Sequence, residues 1–224
     1  MKKYALSPST LNIFIDCPRC FWLHINRNIK RPRGIFPSLP GGMDLVIKTH
    51  FDKYRLKDEL PPEIIGRVEG RLFQDIKILE KWRSWKNTNL IYEDDSLNAT
   101  LSGALDDCLI DGSCYMPLDY KTRGSELIDD PRKYYQIQLD CYCLILESSG
   151  FKTNGLAYLL YFWPTEMIEN GIVKFKVEPI RVETNIESAK EKFRNAIICL
   201  GQGIPMASFN CEYCNLVTTR KMEK

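Results

Sequence analysis

Two Cys-x-x-Cys pairs bracket this chain and restrict what it can fold into. Cys17-Pro18-Arg19-Cys20 and Cys211-Glu212-Tyr213-Cys214 are separated by 190 residues. Four thiolates arranged in such pairs make a site for zinc or an iron–sulfur cluster. A local zinc ribbon keeps its two pairs close in sequence, so this gap points to a clasp joining the two ends of the fold. The other five cysteines (108, 114, 141, 143 and 199) fall within predicted strands or helices and read as small apolar core residues. Nine cysteines is an odd count, and the apolar stretch before Cys17 is broken by Ser, Pro, Asn and Asp. Neither a disulfide framework nor a signal peptide is expected.

A chain of 224 residues with 44% hydrophobic content is ordinary for a globular protein and does not read as disordered. No apolar run approaches the roughly 20 residues needed to cross a bilayer, so a cytoplasmic protein without a membrane partner is expected. The net charge of +2 neither demands nor excludes nucleic acid, because affinity follows the phosphates contacted locally. One local run of charge exists: Arg27, Lys30, Arg31 and Arg33. It suits a phosphate-contacting loop as well as a merely solvated one.

The hydropathy pattern predicts a helix over 8–24, opened by the Ser7-Pro8-Ser9 cap region, and a Pro-, Gly- and Arg-rich loop over 30–42. A second helix is predicted over 43–57, with Met43, Ile47, His50 and Tyr54 at helical spacing. A longer helical stretch follows over 62–85, ending in Trp82 and Trp85. Strands are predicted over 90–93, 97–110, 114–121, 155–163 and 172–180, and helices over 131–148 and 185–201. This order describes a mixed α/β domain with a helical N-terminal extension.

The chemistry concentrates in one hairpin. Asp111-Gly112 is a strong two-residue turn signal. With that turn, Ile110 pairs with Ser113 and facing residues have numbers summing to 223, so Asp106 faces Pro117 and Asp119 faces Ala104. Cross-strand partners and residues two apart share a face. Asp106, Asp119 and Lys121 therefore share one, while Asp107 points the other way. Two diagonal carboxylates offer hard oxygen ligands to Mg²⁺ or Mn²⁺. Such a metal lowers the pKa of a bound water and stabilises charge on phosphate, and Lys121 can orient the water or hold a phosphate oxygen. His50 is a candidate third ligand, although a lone histidine on an apolar helix face is more often a core residue. Gln138 and Tyr142 lie at i and i+4 on one helix face and can support the site.

The ordered set of His50, Gly103-x-x-Asp106, Asp119-x-Lys121 (within Leu118-Asp119-Tyr120-Lys121-Thr122) and Gln138-x-x-x-Tyr142 resembles the RecB-like branch of the PD-(D/E)xK nuclease superfamily. Each motif is short; their order and spacing across residues 50–142 carry the likeness. The resemblance implies a restriction-endonuclease-like core, with a central mixed β-sheet flanked by helices. It implies one nuclease domain over 1–224, with a core over 43–201 and the clasp carried by 1–42 and 202–224. The implied metal ligands are His50, Asp106, Asp119 and the Tyr120 backbone carbonyl, with Lys121 catalytic and Gln138 and Tyr142 supporting. Arg31, Arg33 and Arg123 are the candidate nucleic-acid contacts. The implied activity is metal-dependent hydrolysis of DNA by an exonuclease acting on single-stranded ends, in repair, recombination or CRISPR adaptation, with partner proteins of such a complex. The alternative is a non-catalytic nucleic-acid-binding adaptor that keeps the fold. RecB-like nucleases of the CRISPR-associated exonuclease and AddB type close their termini with a 4Fe–4S cluster, which the resemblance implies here, with Zn²⁺ as the alternative. Their usual split is one early cysteine and three late, whereas here it is two and two.

Overall fold

The first departure from the expected pattern comes at Cys17. A computed structural model describes residues 3–32 and 38–216. In it the predicted 8–24 helix is two helices, α1 (Pro8–Asp16) and α2 (Pro18–Arg27). Proline disfavours helical backbone in the residue before it, and Cys17 is extended at φ −156°, ψ 106°. α1 is started by a reciprocal cap. The Ser7 hydroxyl accepts from the Thr10 N–H, and the Ser7 N–H donates to Thr10 Oγ1 at 2.8 Å. Pro8 and Pro18 each open their helix, where a missing N–H costs nothing. Cys17 and Cys20 thus straddle a fixed bend.

The remaining helices are α3 (Ser38–Arg55), α4 (Ile76–Arg83), α5 (Arg132–Ser148) and α6 (Ile186–Gly201). α3 begins inside the segment read as loop. The long helix expected over 62–85 is reduced to α4. Pro61 and Pro62 precede it, and Gly66 and Gly70 take positive φ of 69° and 76°, which no helix accommodates. Gly70 has a second reason to be glycine. A Cβ there would lie 2.3 Å from the Ile110 carbonyl oxygen. Gly70→Ala is expected to cost about 1–3 kcal/mol for the φ alone, and the backbone clash adds to that. A denaturation midpoint unchanged from wild type would rule this out.

Two sheets form. β1 (Tyr4–Leu6), β4 (Ala99–Ser102) and β3 (Ile91–Asp94) make one, in the order β1-β4-β3, with β1 parallel to β4. The N-terminal segment is therefore woven into a sheet and is not a purely helical extension. β2 (Arg71–Leu72), β5 (Asp107–Asp111), β6 (Cys114–Thr122), β7 (Leu156–Met167) and β8 (Val173–Glu183) make the other, in that order. The expected strand over 97–110 is divided between the two sheets, with Gly103–Asp106 as the bend. β6 and β7 are parallel, joined through α5; the other neighbours in this sheet are antiparallel.

β7 shows how the core is organised. Its run Leu156–Trp163 is buried throughout, as a central strand covered on both faces should be. Ala157, Leu159, Tyr161 and Trp163 join a cluster with Leu139, Tyr142 and Ile145 of α5. Leu156, Tyr158, Leu160 and Phe162 join another with Ile47 and Phe51 of α3. The sheet is thus sandwiched between α5 and α3, and fully burying one such side chain contributes about 1.5–3 kcal/mol. Leu6, Leu11 and Phe21 belong to the α5-side cluster, so the N-terminal segment is part of this core. No helix among the described residues is long and apolar enough to cross a membrane.

Candidate active site and four-cysteine cluster

The β5–β6 hairpin turns one residue later than the Asp-Gly signal implies. Asp111 pairs with Cys114, Cys108 with Pro117 and Asp107 with Leu118, so facing numbers sum to 225. Gly112 supplies the positive φ, at 56°, and Gly112-Ser113 forms the loop, a pattern with glycine at its first position that hairpins favour. The expected pairings of Asp106 with Pro117 and Asp119 with Ala104 are therefore wrong. A shift of two in the sum preserves the alternation for Asp119, Lys121 and Asp107, while Asp106 sits in the bend just before β5, outside the paired residues.

Met116, Leu118 and Tyr120 pack in the α3-side cluster, which directs Asp119 and Lys121 to the α5 side. Asp119 is 2% exposed. The Gln138 amide donates to Asp119 Oδ1 at 3.0 Å and to the Tyr142 hydroxyl at 2.7 Å. The Lys121 ammonium lies against Asp119 Oδ2 and donates to Gln138 Oε1 at 3.3 Å. It also sits 4.3 Å over the Tyr135 ring. Asp119 Oδ2 is buried and receives no aligned hydrogen bond. Asp106 accepts the Tyr120 N–H on Oδ2 at 3.1 Å. The N–H and C=O of a strand residue leave on the same side, so the Tyr120 carbonyl is aimed at this edge too. Burial pushes the Asp119 carboxyl up to about 7; the Lys121 ammonium opposes this and the Asp106 charge adds to it.

His50 does not join them. Its ring bonds Glu63 Oε1 at 2.8 Å, and its side chain is 42% exposed. Among the described residues, the only group of three or more His, Cys, Asp or Glu with ligand atoms within 4.8 Å of one another is the cysteine cluster. The expected triad of His50, Asp106 and Asp119 is therefore not assembled. α3 presents Lys48 instead, which donates to Asp106 Oδ1 at 2.9 Å and Asp44 Oδ2 at 2.8 Å. Burial disfavours the Lys48 charge, but Asp106 and Asp44 outweigh it and hold its pKa above the usual lysine range. Asp44, Lys48 and Asp52 recur every four residues on α3. That polar stripe is a signal which the attention to His50 missed.

Asp107, pointing away as expected, is the most connected carboxylate here. It is wholly buried. It accepts Arg55 Nη2 on both oxygens at 2.7 and 2.6 Å, Arg83 Nη2 at 3.0 Å, and the Tyr120 hydroxyl at 2.6 Å. Arg55 and Arg83 also bond Asp52, and Arg83 Nε donates to the Asp106 carbonyl at 2.8 Å. Two cations and two anions form a neutral layer beneath the hairpin, fixing the backbone on either side of Asp106 and Tyr120.

Of the basic residues expected to touch phosphate, Arg33 lies outside the described residues. Arg31 turns inward: it pairs with Asp16 at 2.5 Å, approaches Cys211 Sγ at 3.9 Å and stacks 4.7 Å from the Tyr213 ring centre. That makes it a residue of the clasp. Arg123 follows β6, its N–H bonded to the Phe162 carbonyl at 3.0 Å, and its side chain lines a cavity with Tyr134, Tyr135 and Tyr161.

The four cysteines meet. Cys20 Sγ lies 3.5 Å from Cys211 and 3.6 Å from Cys214, and Cys17 lies 3.9 Å from Cys214. No protein-family model matches the chain, and no curated protein matches it either. The reading of both sites therefore rests on their chemistry. Burial pushes the Cys17 thiol up, yet the backbone amides of Cys20 and Ser208 bring it down to about 6. Burial raises Cys20 and Cys214, and at Cys214 the neighbouring thiols add to the rise. Four thiols so placed resist ionising together unless a cation compensates them, which is the donor set a thiophilic metal takes.

Proposed function

We propose that the protein is a metal-dependent nuclease that hydrolyses phosphodiester bonds, with single-stranded DNA ends as its substrates. One observation carries the reading: Asp119 and Lys121 project from one face of β6, Gln138 bridges Asp119, Lys121 and Tyr142, and Asp106 reaches the Tyr120 N–H beside them from the bend before β5. The residues fit a hard divalent cation. Asp106 lies close enough for its charge to raise the Asp119 pKa, and the buried Asp119 Oδ2 is already met by one cation, the Lys121 ammonium. Asp106, Asp119 and the Tyr120 carbonyl would hold Mg²⁺ or Mn²⁺, which supplies an activated water and neutralises charge on the phosphate. Lys121 is placed to hold a phosphate oxygen, and Gln138 orients both Lys121 and Asp119. Lys48, not His50, is the α3 residue that reaches Asp106, and as a charged ammonium it is a counter-ion and not a metal ligand.

The Lys48–Asp106 pair favours a second reading, a nucleic-acid-binding subunit without catalysis, because the ammonium occupies a carboxylate oxygen that a metal would use. Incubation with end-labelled single-stranded DNA and Mn²⁺ separates the two. Cleavage by wild type, reduced about 10²–10³-fold in Asp119→Asn and Lys121→Ala, supports the enzyme. Binding without cleavage supports the adaptor.

For the clasp, the spacing supports one Zn²⁺ over the 4Fe–4S cluster. Ligands about 2.3 Å from a tetrahedral ion stand roughly 3.8 Å apart, close to the 3.5–3.9 Å found between thiols. A cubane of four irons and four sulfides would fill space in which these sulfurs touch.

A further inference from the structure

A cavity of about 800 Å³ opens beside the carboxylates, walled by Gln138 and Tyr142 on one side and by Ser9, Asn12 and Trp85 on the other. Gln138 and Tyr142 belong to the hydrogen-bonded row that reaches Asp119, so one layer of side chains stands between the cavity and the carboxylates. Its floor is fixed by Gly103, where a Cβ would come within 3.2 Å of the Tyr142 ring; glycine lets the end of β4 press Tyr142 into place.

Two features define what the cavity can hold. Trp85 is 76% exposed, while Trp82 and Trp163 are buried. Its indole stands just beyond the end of α4, with the Lys86 ammonium 5.2 Å from the ring centre. An exposed flat ring backed by a cation is a stacking surface. Every side chain lining the cavity is uncharged. The polar groups are hydroxyls and amides, which read hydrogen-bonding edges and neither attract a phosphate nor chelate a cation. The charged partners for phosphate lie across Gln138, at Lys121. A planar ring with donor and acceptor edges, joined to a phosphate one step away, is a nucleotide. The volume is that of an ordinary small-ligand site, and a paired base cannot present its face to a side chain.

We propose that this cavity seats one unpaired nucleobase of the substrate strand, stacked on Trp85, while the adjoining phosphate lies over Asp106, Asp119 and Lys121. The assignment rests on the nuclease reading for the phosphate, but its test stands apart from it. In Asp119→Asn protein, which retains the cavity, titration with a short oligodeoxythymidylate should quench tryptophan fluorescence. Trp85→Ala should abolish that quenching and weaken binding about 5- to 150-fold, the range of one base–aromatic stack. Trp85→Phe should recover most of the affinity, and binding of blunt duplex should change little. Unchanged thermal melting of the Trp85 variants, expected for an exposed side chain, confirms that folding is intact.

Oligonucleotide binding that is equally tight in Trp85→Ala would overturn the assignment, and cleavage with KM unaltered by that substitution would overturn it while leaving the nuclease reading in place. Trp85-dependent binding by a wild-type protein that never cleaves would uphold the base site and sink the enzyme.

Discussion

Asp107→Ala is expected to destabilise the protein by about 3–5 kcal/mol, a large share of the 5–15 kcal/mol that holds a typical domain folded. The magnitude follows from what is left behind. Arg55 is 1% exposed, and its Nη2 donates to both oxygens of Asp107 at 2.7 and 2.6 Å. Without that carboxylate the layer of Arg55, Arg83, Asp52 and Asp107 passes from neutral to one net positive charge, centred on the buried Arg55. The Tyr120 hydroxyl and the Cys108 N–H, 2.6 and 2.7 Å from Asp107, lose their acceptor as well. In a chain of this size the melting temperature should fall by roughly 6–20 °C. Replacing both partners, Arg55→Met with Asp107→Leu, should cost much less than the two single changes added together, since no lone charge remains. Additive losses in a urea-denaturation cycle would mean that these residues act separately.

The second large effect is expected at the clasp. Serine at any one of positions 17, 20, 211 or 214 should abolish metal binding by the proposed four-thiol site and lower stability more than any ordinary core substitution. A structural zinc site contributes about 10–16 kcal/mol in small peptides; even part of that exceeds what the neighbouring contacts supply. Those contacts include Trp22 Nε1 to the Gln202 carbonyl at 3.0 Å, Asn26 Nδ2 to the Leu200 carbonyl at 3.1 Å, and Arg31 between Asp16 and the Tyr213 ring. Four-coordinate sites tolerate no missing ligand, so the four variants should behave alike. Cys199→Ser, at a half-buried thiol outside the cluster, should retain full metal. Elemental analysis finding one zinc per chain and no iron, with no visible absorption, agrees with the thiol spacing. Iron and sulfide in the purified protein would reverse the metal assignment, and melting unchanged in all four variants would remove the clasp's structural role.

Local signals were legible where chemistry acts over a few residues. β7 announces itself by an unbroken apolar run, α5 and α6 by helical periodicity, and the opposite directions of Asp107 and Asp119 by strand alternation. The errors came where two local rules compete or where distance matters. Asp111-Gly112 and Gly112-Ser113 are both good turns, and only the fit of β5 against β2 and β6 selects the second. The break at Cys17 was in plain view as Pro18, but apolar periodicity continues through it. Asp107 finds Arg55, 52 residues before it, and Lys48 finds Asp106, 58 residues after it. Partners so far apart leave no mark on either local stretch. His50 was placed on the right helix, yet Lys48 two positions earlier is the residue whose side chain reaches the carboxylate.

The clasp also sets an order of events in time. Cys211 leaves the ribosome 191 residues after Cys20, which at 5–20 residues per second is about 10–40 s. For that interval Cys17 and Cys20 lack their partners, while β1 must also wait for β4 before it can pair. Closure must therefore wait for Cys211 and Cys214, and a nascent chain held in an oxidising medium meets its hazard before that second pair of thiols has been made.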